Sequence, residues 1–150
     1  GQSTRNATLL IKVACEHALG KRAQLSVFGT DYETADGTCI RDYIHVVDLA
    51  RSHVAAAELC EGDSQGQVSE LFNVGRGSGS SVREVLDVIS EVLGYDVDPR
   101  AVERRPGDPA MLVARTEKIE SGLGWKADLD LVDMVRSAWS AWPHAVSLRA

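Results

Sequence analysis

Apolar positions recur along this chain with two periods, one close to a helical turn and one alternating, and the switches between them mark out the elements. Over residues 7–19, Leu10, Val13, Ala14 and Ala18 fall on one side of a predicted helix that Gly20 stops. Lys21 and Arg22 follow, suiting the negative end of that helix. Residues 25–28 and 43–47 read as two short β-patterned runs around a loop holding Gly29, Asp31, Asp36 and Gly37, residue types that tolerate tight turns. A second helix is predicted over 48–60, with Leu49, Ala50, Val54 and Ala57 as its apolar face, Asp48 at its positive start and Gly62 as its end. Residues 70–74 read as a strand. The best-defined helix follows: Ser81 and Glu84 make a capping-box pattern, and Val82, Val85, Leu86, Ile89 and Leu93 form one stripe before Gly94. An extended run over 97–103 returns to the sheet, and Thr116 opens a short helix that ends near Gly122. Gly124 and Trp125 form a turn with an aromatic plug. Asp130 caps a last helix with Val132, Val135, Trp139 and Trp142 inward, Asp133 in its first turn and Pro143 as terminator.

These elements describe a single α/β domain over residues 1–150: a mixed α+β arrangement of about five helices around a small sheet of short strands. The long doubly wound sheet of a nucleotide-cofactor domain has no counterpart in the pattern. A chain of 150 residues can bury roughly 68–70% of its unfolded surface, enough for an independent core. A net charge of -6 and a pI near 5.2 argue against nucleic acid or an anionic membrane as the main partner. A few anion-binding arginines remain compatible with that total, because binding depends on local charge. Cys15, Cys39 and Cys60 are odd in number and widely spaced, which suits reduced thiols in a cytoplasm. No CxxC or HExxH pattern occurs, and His17, His45, His53 and His144 show no ligand spacing, so no metal is predicted. His45 and His53 read as packing or surface residues. No apolar run reaches membrane-spanning length, and the opening Gly1 suggests a piece of a longer polypeptide.

Three stretches carry candidate chemistry. Arg41 stands where the loop exits into the second β run. A guanidinium stays charged and presents a rigid fork of donors, so Arg41 is either a phosphate clamp or a surface ion-pair partner. The second stretch, a strand followed by Gly75-Arg76-Gly77-Ser78-Gly79 and a helix opening at Ser81, mimics a dinucleotide-binding turn. The GxGxxG fingerprint needs glycine at position 80, where this chain has Ser80, and no βαβ units follow it. The third is Arg104-Arg105-Pro106-Gly107-Asp108, adjacent cations at a turn in an acidic protein. On the residues alone it is either an anion site or a solvated loop in which Arg105 pairs with Asp108.

The words VFGTDY, DGT and RDYIHVVDLA, gap-free from Phe28 to Leu49, closely resemble the signature of the UDP-glucose 4-epimerase family. The likeness continues more loosely through FNVGRGSGSSV and RRPGDPA to GLGW, covering nearly the whole chain. It implies the later, substrate-binding part of such an enzyme. On that resemblance Arg41 and Arg105 hold the pyrophosphate, Asp108 binds a ribose hydroxyl, and Phe28 and Val82 wall the uridine. Leu112 takes the position that gates sugar size, and Leu10, Ser26, Val27 and Tyr43 complete the implied substrate-binding set. Leu9 stands where relatives carry asparagine or histidine, leaving Leu10 a backbone contact. The implied cofactor is NAD, held in the full-length enzyme by an N-terminal Rossmann domain that this chain lacks, and the implied whole is a cytoplasmic homodimer acting on a UDP-sugar. Such epimerases pass a hydride from the sugar's C4 to NAD and back to the other face, with the tyrosine of a YxxxK pair shuttling the hydroxyl proton. Here Tyr32, Tyr43 and Tyr95 are followed four residues on by Asp36, Val47 and Pro99, so the chain alone is expected to be inert. Two other readings stand beside this one. One is a sugar-nucleotide dehydratase or decarboxylase on the same scaffold, against which RDYIHV and DGT speak. The other is a non-catalytic binding module whose apolar surface, normally covered by the cofactor domain, is exposed.

Overall fold

The computed structural model describes residues 8–62, 66 and 68–142, so Ala7, Pro143 and His144 lie outside the described residues. Helix α3, Val82–Leu93, is the centre of the packing, for reasons the sequence states locally. Ser81 Oγ accepts the Glu84 N–H at 3.0 Å while the Glu84 carboxylate accepts the Ser81 N–H at 2.7 Å, and Gly94 leaves the helix in the left-handed region at φ 62°. Its stripe of Val85, Leu86, Ile89 and Leu93 is buried. Helix α1, Leu10–Ala18, and helix α5, Leu131–Ser140, pack against that stripe and against each other. They contribute Ala14, Cys15 and Ala18 from one side and Leu131, Met134, Val135 and Trp139 from the other. Asp130 and Asp133 form a second reciprocal capping box at the start of α5.

Strand β1, Ser26–Phe28, lies under this layer and pairs in parallel with β4, Arg100–Val102, so the run over 97–103 does return to a strand pairing. Strand β2, Ile40–Arg41, is the middle of a separate three-stranded sheet, antiparallel to β3, Ser80–Ser81, and parallel to β5, Met111–Leu112. Two small sheets therefore stand where one was expected. Between β1 and β2 the loop closes on itself through the Tyr32 N–H and the Gly37 carbonyl at 2.9 Å, and the chain re-enters β structure beside different partners. Helix α2, Val46–Gly62, and helix α4, Glu117–Leu123, bring the helices among the described residues to the expected five.

Three expectations fail. Residues 43–47 are not a strand, because by Val46 the chain is helical. The buried His45 ring accepts the Val47 N–H on Nδ1 at 3.0 Å, capping α2, and its Nε2 meets Ser137 Oγ at 2.7 Å. The face expected of α2 is also reversed: Leu49, Ala50, Val54 and Ala57 are exposed, and the buried positions are Asp48 and Ser52. Asp48 is drawn inward by polar contacts, accepting the N–H groups of Asp128 at 3.2 Å and Leu129 at 2.8 Å and pairing with Arg51 at 3.3 Å. Finally, residues 70–74 belong to no strand among the described residues, and Leu71 is 88% exposed.

Candidate functional site

The central position of β2 is what places the first arginine. Ile40 donates its N–H to the Ala110 carbonyl at 2.8 Å, and the Val82 N–H reaches the Cys39 carbonyl at 3.1 Å, so the strand is flanked on both sides. Arg41 thus sits mid-sheet rather than at a sheet edge, with Leu112 opposite it in register on β5. Its Nη1 donates to the Ile40 carbonyl at 2.6 Å and its Nη2 pairs with Asp108 Oδ1 at 2.5 Å, both side chains being only partly exposed. Asp108 closes the 105–108 turn by donating its N–H to the Arg105 carbonyl at 3.2 Å. The Arg105 guanidinium carbon lies 3.7 Å from the centre of the Phe28 ring.

Arg41, Asp108, Arg105 and Phe28 are therefore one contiguous group assembled from three separated segments. Asp108 pairs with Arg41 and not with Arg105, correcting the solvated-loop alternative. The turn aims the carboxylate back at β2 and leaves Arg105 over the aromatic ring. Leu112 is 62% exposed beside this group, and Val82 is half-buried at the start of α3. Next to Phe28 an open cleft of about 780 Å³ runs past Asp31, Arg100 and Arg104.

The other expected residues sit in or beside the core or on β1. Val27 is buried in the helical core, and Leu10 and Tyr43 pack against it. Burial pushes the Tyr43 hydroxyl up to about 12, so it keeps its proton at neutral pH. Ser26 is half-buried on β1. Sequence reasoning treated the two adjacent arginines as one concentration of charge, but the structure divides them. Arg104 stacks 4.2 Å from the Tyr32 ring centre and pairs with Asp31 at 2.6 Å, a bond that holds the Asp31 carboxyl below its usual range. It fastens the 29–37 loop, while Arg105 stacks on Phe28.

That loop also meets α3. Asp36 bonds Ser81 Oγ through one oxygen and Thr38 through the other, taking the Thr38 N–H at 2.8 Å and its hydroxyl at 2.7 Å. Burial pushes the Asp36 carboxyl up, but the bonds from Ser81 and Thr38 outweigh it and hold it below the ordinary value. A carboxylate depressed in the folded state contributes stability that is complete above about pH 4 and is lost as pH falls through the folded value. The Arg83 N–H donates to Thr38 Oγ1 at 3.2 Å, so amide spectra recorded on acidification should show Thr38 and Arg83 loosening together below about pH 4, and Asp36→Asn should abolish that pH dependence. A response that persists in Asp36→Asn would assign it to another group.

The glycine-rich turn does not fit a dinucleotide. A Cβ on Gly75 would stand 2.4 Å from the Asp42 carboxylate, one on Gly77 2.8 Å from Thr116 Oγ1, and one on Gly79 2.3 Å from Ile40. The space that these glycines leave open is filled by the chain itself. The N–H groups of Arg76 and Gly77 are already bonded to Asp42, and the start of α3 is closed by its own capping box. Among the described residues no group of three or more His, Cys, Asp or Glu could hold a metal ion, and no helix is long and apolar enough to cross a membrane.

The family model described as GDP-mannose 4,6 dehydratase matches residues 2–138. A UDP-glucose 4-epimerase of Azospirillum brasilense is 52% identical over 147 residues, covering 97% of this chain and 41% of the relative. Among solved structures, the UDP-glucose-4-epimerase of Stenotrophomonas maltophila with bound NAD and formylated UDP-arabinopyranose superposes with a TM-score of 0.88 at 38% identity, over 99% of this chain and 43% of that one. The UDP-glucose 4-epimerase of Bifidobacterium longum in complex with NAD+ and UDP gives a TM-score of 0.78 at 38% identity, over 88% of this chain and 38% of that one. The chain thus spans about two fifths of the length of the proteins it matches.

Proposed function

This chain belongs to the GDP-mannose 4,6 dehydratase family, and on that footing we propose that it is the UDP-sugar-binding part of an NAD-dependent UDP-glucose 4-epimerase. The observation that carries the reading is the convergence of Arg41 and Arg105, from separate segments, on one turn through Asp108 and Phe28. One guanidinium over an aromatic face and a second paired with the carboxylate of the same turn suit a nucleoside diphosphate: charge and forked donors for the phosphates, and a flat apolar wall for the base. The Arg105 guanidinium covers the ring face that a uracil would take. A cation–π contact of this exposed kind is worth about 0.5–1 kcal/mol, which base stacking replaces as Arg105 swings to the diphosphate. In this reading Asp108 turns from Arg41 to accept a ribose hydroxyl. Leu112 gives the sugar an apolar wall with no hydrogen-bonding group.

NAD would supply oxidation and re-reduction at the sugar's C4, and the residues that hold it belong to another part of the full-length enzyme. An N-terminal Rossmann domain is the partner proposed for the surface formed by α2 and residues 70–74. Support for that comes from Val46 and Val54, 69% and 58% exposed on an apolar helix face, and from Leu71, 88% exposed in the run over 70–74.

The test is a UDP titration of the chain. Arg105→Ala should weaken binding by about 1.5–3 kcal/mol, the scale of hydrogen bonds made by a charged group. An unchanged isotherm would remove Arg105 from the site. The description of the matching family model also admits a dehydratase, and product analysis of the full-length enzyme with UDP-glucose separates the two chemistries.

A further inference from the structure

We infer that Asp42 is the positioning residue of the diphosphate clamp. It neighbours Arg41 at the end of β2, and adjacent residues of an extended strand project to opposite sides. Arg41 reaches towards Asp108, while the Asp42 carboxylate reaches the other way and gathers three backbone donors. Its Oδ1 accepts the Arg76 N–H at 2.9 Å, and its Oδ2 accepts the N–H groups of Gly77 at 3.1 Å and Ala114 at 3.2 Å. The Asp42 N–H in turn donates to the Leu112 carbonyl at 3.1 Å. One half-buried side chain thus ties the strand carrying Arg41 to the turn before α3 and to the chain leaving β5 beside Leu112.

The chemistry of that junction calls for a carboxylate. Three converging N–H groups need two acceptor oxygens, and only an ionised Asp supplies both without adding a donor. An amide would keep one oxygen and turn its NH2 against an N–H that it cannot satisfy. Close approach is built in as well: a Cβ on Gly75 would lie 2.4 Å from Asp42 Oδ2 and 2.7 Å from the Ala114 Cβ, so glycine at 75 admits the carboxylate. In this arrangement Asp42 touches no ligand. It holds the backbone on both sides of Arg41 in register, and the direction of the guanidinium follows from that register.

The inference rests on Arg41 being a diphosphate ligand, and the experiment separates the two claims. UDP and uridine are titrated against the chain and against Asp42→Asn, Arg41→Ala, the double variant, and Gly75→Ala. If Asp42 acts through Arg41, Asp42→Asn weakens UDP about tenfold, on the scale of one well-placed charged hydrogen bond, and leaves uridine within about twofold. In that case the double variant binds UDP no more weakly than Arg41→Ala alone. Gly75→Ala, which crowds the carboxylate from the opposite side, should show the same split between UDP and uridine, and decides the matter if Asp42→Asn does not fold. Equal loss of both ligands, full additivity in the double variant, or UDP affinity unchanged by Asp42→Asn each overturns the assignment while leaving the UDP site standing. Failure of the unmodified chain to bind UDP overturns the site itself, and the role of Asp42 with it.

Discussion

Supplied with NAD and UDP-galactose, the isolated 150-residue chain is expected to form no UDP-glucose above the uncatalysed background. Epimerisation through a 4-keto intermediate needs a group to take and return the hydroxyl proton, and enzymes of ordinary power lower such barriers by about 8 kcal/mol or more. None of the three tyrosines stands in a YxxxK pair. Tyr32 is buried with its hydroxyl unpartnered among the described residues, Tyr43 is held up at about 12, and Tyr95 lies edge-on to His17 at 6.1 Å. No lysine stands four residues after any of them. Two of the chain's lysines are engaged elsewhere, Lys21 over Trp142 and Lys118 with Glu70. Nor does the glycine-rich turn leave room for a dinucleotide, since Asp42, Thr116 and Ile40 fill it. A coupled assay for UDP-glucose measures the outcome directly. Turnover at the rate of an intact epimerase would refute the division of labour proposed here, whereas activity appearing only when the preceding part of the full-length protein is added would support it.

How far such a site can be read from residues alone depends on the range of the interaction. Helices α3 and α5 are legible because their signals are local: reciprocal capping boxes within four residues and one apolar stripe each. Helix α2 misleads because the period argument assumes that the apolar face turns inward. In this chain Asp48 and Ser52 are buried, fastened in the case of Asp48 to the backbone at 128–129, and the apolar face looks outward. The relatives are more than twice as long as the region they share with this chain, and the cofactor domain proposed as partner would cover that face. Residues 43–47 fail for a different reason, since Tyr43, His45 and Val47 alternate as a strand would until the His45 ring caps a helix across that pattern. At the proposed site the words were legible and the pairings were not. Arg41, Arg105, Asp108 and Phe28 stand in recognisable words, but Asp108 reaching Arg41 instead of Arg105 is a contact between distant segments that no local pattern encodes. Asp42 was overlooked because its partners lie far along the chain, although it adjoins the residue singled out.

Ile89→Ala should be the most destabilising single change in this core, costing about 2–5 kcal/mol, read as a fall in the urea midpoint at unchanged slope. Ile89 is fully buried on α3, against which both α1 and α5 pack, so truncation leaves a cavity in a close-packed core that closes only in part. Against a total of roughly 5–15 kcal/mol for a single domain, that is a large fraction, and this chain also carries an apolar α2 face that folding leaves in water. Val54→Ala on that face supplies the comparison: at 58% exposure it should move stability by no more than about 0.5 kcal/mol. The two variants should also part company at the site. Ser81 and Val82 lie at the start of α3, about two turns from Ile89, and are fixed there by Asp36 and by the Cys39 carbonyl. Below its unfolding transition, Ile89→Ala should therefore bind UDP as the unmodified chain does, losing affinity only in proportion to the molecules unfolded. A midpoint insensitive to Ile89→Ala would mean that α3 does not carry the packing, and a UDP affinity that falls while the protein stays folded would mean that the helical core and the arginine site are coupled more tightly than their local braces imply.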